Sequence, residues 1–298
     1  MLAEMAIADA YAIPWEFTDQ QTGKNDLSMY YQHPTYAALT KGQYTDDTQR
    51  AIANAEVLLS GDAMDPFTPL SYACYMVNAY KRDRRDGYSR GFQALLDSVD
   101  HGAELLQKVQ RTKDSNGSVM GVAPLGFISD IPSLKMAATI QAISTHHPST
   151  AIHAQIVALA AHYFIHGVGD RTGLVNFVVE HTDWVSADQK FRWLGEMSNY
   201  SVDPSKPTTI KAQSISAYVV HAAFTMPTLG SIMMDAVARG GDTDSAAAGA
   251  VAVASCSKEV EYDIPAVLSL ALDYANPHYG TLFLSGLEQR LRSEYVEA

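Results

Sequence analysis

Apolar residues recur at helical spacing along most of this 298-residue chain. Ile52, Ala55 and Leu59 fall at positions i, i+3 and i+7, and Ile152 and Ile156 are one helical turn apart. Similar patterns cover residues 66–82, 90–109, 132–144, 171–181, 209–224, 230–239, 244–257, 264–275 and 281–296. No set of alternating strands stands out, although "GLVNFVVEHT" is rich in β-branched residues. The pattern predicts an all-α fold, and because no linker divides the chain we expect residues 1–298 to form one domain.

The composition restricts the classes of partner. Hydrophobic residues make up 47% and charged residues 18% of the chain, which is typical of a soluble globular protein. The formal net charge of -12 disfavours nucleic acid and anionic membranes, since both are bound mainly through Lys and Arg. No apolar run approaches the ~20 residues of a membrane span, and the first residues lack the basic start of a signal peptide. We therefore expect a cytoplasmic protein, with Cys74 and Cys256 as free thiols in its core.

Two aspartates stand side by side where a helix is predicted to begin, in "GQYTDDTQ", residues 42–49. One interpretation is helix capping, with Thr45 or Asp46 as the N-cap and Asp47 complementing the helix dipole. The other is metal binding, because adjacent carboxylates repel each other unless a cation lies between them. The motif alone leaves both interpretations open.

A second acidic cluster strengthens the metal hypothesis. Asp242, Asp244 and Ser245 follow Gly240 and Gly241 at another predicted helix start. The two clusters together offer four carboxylates and two hydroxyl side chains, an all-oxygen ligand set that suits Mg²⁺ or Mn²⁺ rather than zinc. A calcium EF-hand loop is excluded, because one starting at residue 242 would need Gly at position 247 and Glu at position 253, where the chain has Ala and Val.

Two further segments carry weaker signals. Residues 114–126, "DSNGSVMGVAPLG", form a small-residue turn that is compatible with phosphate binding, although the spacing alone favours an ordinary Asn-Gly turn. Residues 144–150, "STHHPST", place two histidines before a proline. Either histidine is a candidate ligand, but a capped loop before a helix explains the segment as well.

Five fragments, in order, resemble the motifs of one family. "AIADAYAIPWEF" is similar to "GDAxGxPxEF", "YTDDTQ" to a first metal motif, "SNGSVMGVAPLG" to "GNGxxMRxAPLG", "STHHP" to a Thr-His…Pro segment, and "GGDTDS" to "GGDTDT". The chain thus resembles the ADP-ribosylglycohydrolases, all-helical dimetal hydrolases that include dinitrogenase-reductase-activating glycohydrolases and ADP-ribosylarginine hydrolases. Departures include Ala8 for glycine, Gly121 for arginine and Ser245 for threonine, and Gly121 puts the arginine's salt bridges and substrate contacts in question.

The resemblance implies a compact orthogonal helical bundle and a particular site. Two Mg²⁺ or Mn²⁺ ions would be held by Thr45, Asp46, Asp47, Asp242, Asp244 and Ser245. Glu16 would act as the acid/base, with Asp46 or Asp47 steering water. Asn116, Gly117 and Ser118 would line the diphosphate of ADP-ribose.

The expected activity is hydrolysis of the glycosidic bond between ADP-ribose and an acceptor. We rank ADP-ribosyl-arginine on protein first, because a positive guanidinium suits an acidic pocket. O-linked ADP-ribose, a small ADP-ribosyl metabolite, a non-catalytic ADP-ribose-binding module and a crystallin-like structural relative remain alternatives. The expected partner is an ADP-ribosylated protein or small ADP-ribosyl compound, bound by a monomer.

Overall fold

A computed structural model describes residues 1–18, 23–34, 36, 38–60 and 67–297. The described residues form helices and no strand; two isolated β-bridges join Ser115 to Lys211 and Thr228 to Glu261. The helices are α1 (Leu2–Ala12), α2 (Asp46–Leu58), α3 (Pro69–Arg82), α4 (Arg90–Asp97), α5 (Gly102–Lys108), α6 (Ile131–Thr145), α7 (Ala151–Ile165), α8 (Leu174–His181), α9 (Ala187–Val202), α10 (Ala212–Thr225), α11 (Leu229–Arg239), α12 (Thr243–Ala254), α13 (Ala266–Ala275) and α14 (Thr281–Tyr295). The all-α prediction is confirmed.

The helices differ from the predicted segments at several places. The segment 90–109 divides into α4 and α5, and the β-branched stretch "GLVNFVVEHT" is helical in α8. Helices α1 and α9 have no counterpart among the predicted segments. In α1 every residue except Glu4 is buried, so no polar face alternates with the apolar one. In α9, Trp193 and Tyr200 are the only fully buried side chains, so its apolar stripe is too sparse to stand out in the sequence.

Helix α12 lies at the centre of the molecule, and every one of its residues is buried. Its sequence after the first turn consists of Ala, Gly and Val, and such small side chains allow neighbouring helices to approach closely. At Gly249, an added Cβ would lie 2.9 Å from a methyl group of Val219 on α10. Helices α1, α2, α7, α10 and α11 all pack on α12. The N-terminus of this central helix therefore lies where several elements meet.

The two ends of the chain are packed together, since α14 contacts both α1 and α2. This packing supports the proposal that residues 1–298 form one domain. In the part of the chain that the structure describes, no helix is both long and apolar enough to cross a membrane. Cys74 and Cys256 are free thiols, but both are half-buried rather than fully enclosed in the core.

Candidate metal centre

The N-terminus of α2 is capped by a carboxylate from another helix. Asp9 of α1 accepts hydrogen bonds from the backbone N–H groups of Thr45 (3.0 Å) and Thr48 (3.1 Å), and from both threonine hydroxyls (2.8 and 2.6 Å). Thr45 occupies the N-cap position, but its side chain makes no capping bond. Asp46 and Asp47 are therefore not needed as caps. Sequence reasoning missed Asp9, although it lies within the first family-like fragment.

The loop before α12 is held in a conformation that favours glycine. Gly240 and Gly241 have φ values of +72° and +81°. A Cβ on Gly241 would overlap the backbone carbonyl oxygen of Thr208. The Thr208 side-chain hydroxyl donates to the carbonyl oxygens of Gly240 (3.1 Å) and Asp242 (3.0 Å). The hydroxyl of Thr243 donates to the carbonyl oxygen of Ala12 at the end of α1 (2.8 Å). These contacts fix the direction in which the first turn of α12 begins.

Glu16 is brought to this loop by the residue that follows it. The Phe17 N–H donates to the carbonyl oxygen of Gly241 (2.9 Å), and Phe17 has a left-handed φ of +46°, which costs energy for a non-glycine residue. As a result, carboxylate oxygens of Glu16, Asp242 and Asp244 all lie within 4.8 Å of one another. Three acidic side chains from two distant segments thus share one small volume.

The two aspartate clusters also meet. Burial raises the pKa of the Asp47 carboxyl on α2 well above its usual range; the negative charges of Asp46, Asp9 and Asp242 add to the effect, and the Ser245 hydroxyl on α12 opposes it. The amide Nδ2 of Asn116 donates to Asp242 Oδ2 (3.1 Å) and to Ser245 Oγ (2.7 Å). The structure therefore brings together the predicted metal ligands of both helices, with Asn116 beside them.

Burial and mutual repulsion raise the pKa values of these carboxyls. The pKa of Glu16 lies well above its usual range because of burial and the nearby negative charges of Asp242 and Asp46. Burial likewise raises the pKa of Asp244 well above normal, with Glu16 and Asp47 adding to the effect. Burial raises the pKa of Asp46 to about 7, opposed by the positive Arg50. So many buried acids are costly unless protons or cations offset them.

The donor atoms fit divalent cations. Asp47, Asp242 and Asp244 each have a buried carboxylate oxygen (Oδ1) without a hydrogen-bond partner among the described residues. Buried oxygens are rarely left unpaired unless a ligand or water completes them. Carboxylate and hydroxyl oxygens are the ligands that Mg²⁺ and Mn²⁺ prefer. The residues that could hold the ions are Glu16, Thr45, Asp46, Asp47, Asp242, Asp244 and Ser245.

Gly87 packs against the Asp46 carboxylate. The sequence did not predict this contact. The φ of Gly87 is +111°, and a Cβ at this position would overlap Asp46 Oδ1 and approach the Thr45 side chain to 2.8 Å. A bulkier residue at position 87 would therefore push against the carboxylate. The sequence signal was weak, since "RRDGY" resembles any surface turn.

The turn predicted to bind diphosphate, Asn116–Ser118, lies beside the carboxylates as a short 3-10 helix. Asn116 faces the α12 loop, whereas the fully buried Ser118 donates to the carbonyl oxygen of Ser115 (2.8 Å). In "STHHPST", the His147 side chain accepts a bond from the Ser149 N–H, as expected of a capped loop. His146 is buried against Gly117.

Together, the helical scaffold and the buried carboxylates define an all-α protein with a candidate divalent-metal centre. The family model described as ADP-ribosylglycohydrolase matches residues 2–278. The chain belongs to the ADP-ribosylglycohydrolase family.

A solved structure described as an "ADP-ribosylglycohydrolase-related protein complex" is similar to 97% of this chain and 94% of its own, with a TM-score of 0.67 and 19% identity. At that identity the likeness shows the fold alone. No curated protein matches the chain. Family membership supports glycohydrolase activity on ADP-ribosylated substrates.

Proposed function

We propose that the protein is a dimetal-dependent hydrolase that releases ADP-ribose from modified arginine on proteins. The observation that carries this proposal is the convergence of Glu16, Asp242 and Asp244 within 4.8 Å, in a chain that belongs to the ADP-ribosylglycohydrolase family. Unpaired oxygens of Asp47, Asp242 and Asp244 support the metal requirement. The proposed ligands are Thr45, Asp46, Asp47, Asp242, Asp244 and Ser245.

Bound Mg²⁺ or Mn²⁺ would bind the ribose hydroxyls and lower the pKa of a coordinated water. Glu16 has the environment of a general acid, because burial and the neighbouring acids Asp242 and Asp46 raise the pKa of its carboxyl well above its usual range. It would pass its proton to the departing nitrogen of the arginine guanidine. Asp46 and Asp47 would orient the attacking water, and the Glu16 carboxylate would take up the proton that this water loses as it bonds to the ribose C1. The ring of carboxylates also favours the positive charge that develops on the ribose.

The turn at Asn116, Gly117 and Ser118 is proposed to lie along the diphosphate. It is anchored from outside the centre, since the Asn116 N–H donates to the carbonyl oxygen of Ile210 (2.7 Å). A fixed turn does not have to be ordered when substrate binds, which favours affinity. The acidic surroundings suit an arginine acceptor better than an anionic or neutral one.

The test is a turnover assay with ADP-ribosyl-arginine, ADP-ribosyl-serine and free ADP-ribose-1″-phosphate as substrates, with Mg²⁺, with Mn²⁺ and with chelator. We expect arginine release with either metal and none with chelator. Asp188→Ala, an exposed acid on α9, serves as the control variant. Cleavage of the serine substrate alone would reassign the acceptor, and metal-independent turnover would contradict the dimetal centre. ADP-ribose binding without any product would make the protein a binding module.

A further inference from the structure

A buried arginine lies next to the carboxylates without an ion-pair partner. Arg50 follows Asp46 by one turn of α2, and only 2% of it is exposed. Among the residues that the structure describes, no carboxylate forms an ion pair with its guanidinium, and its Nε atom has no hydrogen-bond partner. Burying a charge without a direct ion pair is unfavourable, although the nearby negative charge of Asp46 offsets some of the cost.

Aromatic side chains hold the guanidinium in one place. Its Cζ lies 5.0 Å from the ring centre of Phe92 and 5.4 Å from that of Tyr88, and its Nη1 donates weakly to the Tyr72 hydroxyl (3.4 Å). Ring faces attract a cation and compensate part of its lost hydration. They do not neutralise it, so the positive charge acts on its surroundings through a medium of low polarity.

The guanidinium faces the turn at residues 116–118. A Cβ on Gly117 would lie 3.5 Å from Arg50 Nη2 and 2.7 Å from His146 Nε2. The same turn contacts the carboxylate loop on its other side, through Asn116 and Asp242. The turn is therefore placed between the buried cation and the candidate site, and a side chain at position 117 would displace the His146 ring.

The loop has glycine at position 121, and the packing there leaves no room for a side chain. In the family-like loop, Gly121 stands at the motif's arginine position. A Cβ on Gly121 would lie 2.7 Å from the Ala51 nitrogen and 2.8 Å from the Arg50 carbonyl carbon, so any side chain there would strike the α2 backbone. The close packing of Gly121 on α2 and the buried cation at position 50 are two parts of one local arrangement.

We propose that Arg50 is a positioning residue. Its guanidinium packs against one side of the 116–118 turn, and its positive charge favours the binding of an anionic group of the substrate on the opposite side of the turn. The inference rests on the proposed function and deepens it, since it assigns a counter-charge to the diphosphate. Arg50 acts through the turn and does not touch the substrate. Its effect should therefore appear mainly in the binding of phosphate-bearing ligands, although its charge also lowers the pKa of Asp46.

The experiment measures ADP-ribose affinity by calorimetry in saturating Mg²⁺, together with KM and kcat on ADP-ribosyl-arginine. Arg50→Met should weaken ADP-ribose binding by about 10–50-fold and raise KM similarly, with kcat within about threefold. Arg50→Lys should recover most of the affinity. Both variants should still show a rise in melting temperature with Mg²⁺, which verifies that the centre binds metal at the concentration used.

Two further variants keep the inference testable. Arg292→Met removes a guanidinium on α14 that lies over the Phe127 ring (5.5 Å from Cζ to the ring centre). This variant should leave ADP-ribose affinity within about twofold. Gly117→Ala retains the charge but displaces the turn, and should weaken ADP-ribose binding even if Arg50→Met does not fold.

Folded Arg50→Met with wild-type affinity would overturn the inference and leave the proposed function intact. Unchanged affinity in Gly117→Ala would also overturn it. A wild-type protein that neither binds ADP-ribose nor cleaves the substrate would overturn the proposed function, and the inference with it.

Discussion

The Asp9 carboxylate on α1 accepts a 2.6 Å hydrogen bond from the Thr48 hydroxyl on α2. It accepts three more hydrogen bonds from Thr45 and Thr48. This one side chain therefore pairs the donor groups at the start of the helix that carries Asp46 and Asp47. Capping from a second helix leaves both aspartates available to other partners. It also fixes α2 against α1, whose far end leads into Glu16.

Asp9→Ala should lower the free energy of unfolding by about 1–3 kcal/mol, because buried donors lose their acceptor. It should also reduce the stabilisation by Mg²⁺, since α2 would no longer be held in place. Chemical denaturation with and without Mg²⁺ measures both effects. The control is Asp130→Ala, which removes an exposed N-cap of α6 (2.9 Å to the Ser133 N–H) and should cost about 1 kcal/mol without changing the metal response. An equal metal response in both variants would contradict the role of Asp9.

Asp46→Ala and Asp242→Ala should each abolish turnover and most of the metal-dependent rise in melting temperature, because each removes a proposed ligand. Differential scanning fluorimetry across a Mg²⁺ and Mn²⁺ series provides the measurement. Asp188→Ala should behave as wild type. If both cluster variants kept the full metal response, the dimetal site would be excluded.

Glu16→Gln should keep ADP-ribose affinity within a few-fold and slow turnover by about 100-fold or more, the usual contribution of a general acid. The amide has the shape of the carboxyl group but cannot deliver its proton. Calorimetry and single-turnover kinetics separate the two quantities. A normal rate with lost affinity would instead make Glu16 a binding residue.

In metal-free protein, stability should depend on pH through Asp46. Burial raises its pKa to about 7 from 3.8, so between these values the folded protein binds more protons than the unfolded chain, and stability falls as pH rises from about 4 to about 7. Asp46→Asn removes this loss. With chelator present it should exceed wild type in stability by roughly 1–3 kcal/mol at pH 8 and by little at pH 4. A pH-independent difference between the two proteins would contradict a raised pKa.

Gly87→Ala should reduce activity strongly, because its Cβ would overlap Asp46 Oδ1 and the residue would keep an unfavourable positive φ. Gly195→Ala on α9 is the matched control. No atom lies within 4 Å of a Cβ there, and in a helix alanine should be more stable by up to about 1 kcal/mol. Activity assays and urea denaturation on both variants distinguish displacement of Asp46 from a general effect of alanine. Normal turnover in Gly87→Ala would show that Asp46 tolerates the shift.

Much of the fold could be predicted because amphipathic helices have apolar residues at a regular helical spacing, which is visible in the local sequence. The patterns identified α2, α7 and most later helices, and the motif residues 45–47 and 242–245 were evident as polar, glycine-flanked helix starts. Helix α9 escaped because few of its residues are buried. The contributions of Asp9, Arg50 and Gly87 also escaped, since each works through contacts with residues distant in sequence.

The sequence by itself determined the helical class, the family and the chemical types of the candidate ligands, because these follow from composition, local spacing and short motifs. Only the tertiary structure decided that Glu16, Asp242 and Asp244 converge within 4.8 Å, that Asp9 supplies the α2 cap and that a buried guanidinium lies against the 116–118 turn. Those relations depend on how α1, α2 and α12 pack, and packing is set by the shapes of many side chains acting together rather than by any one segment.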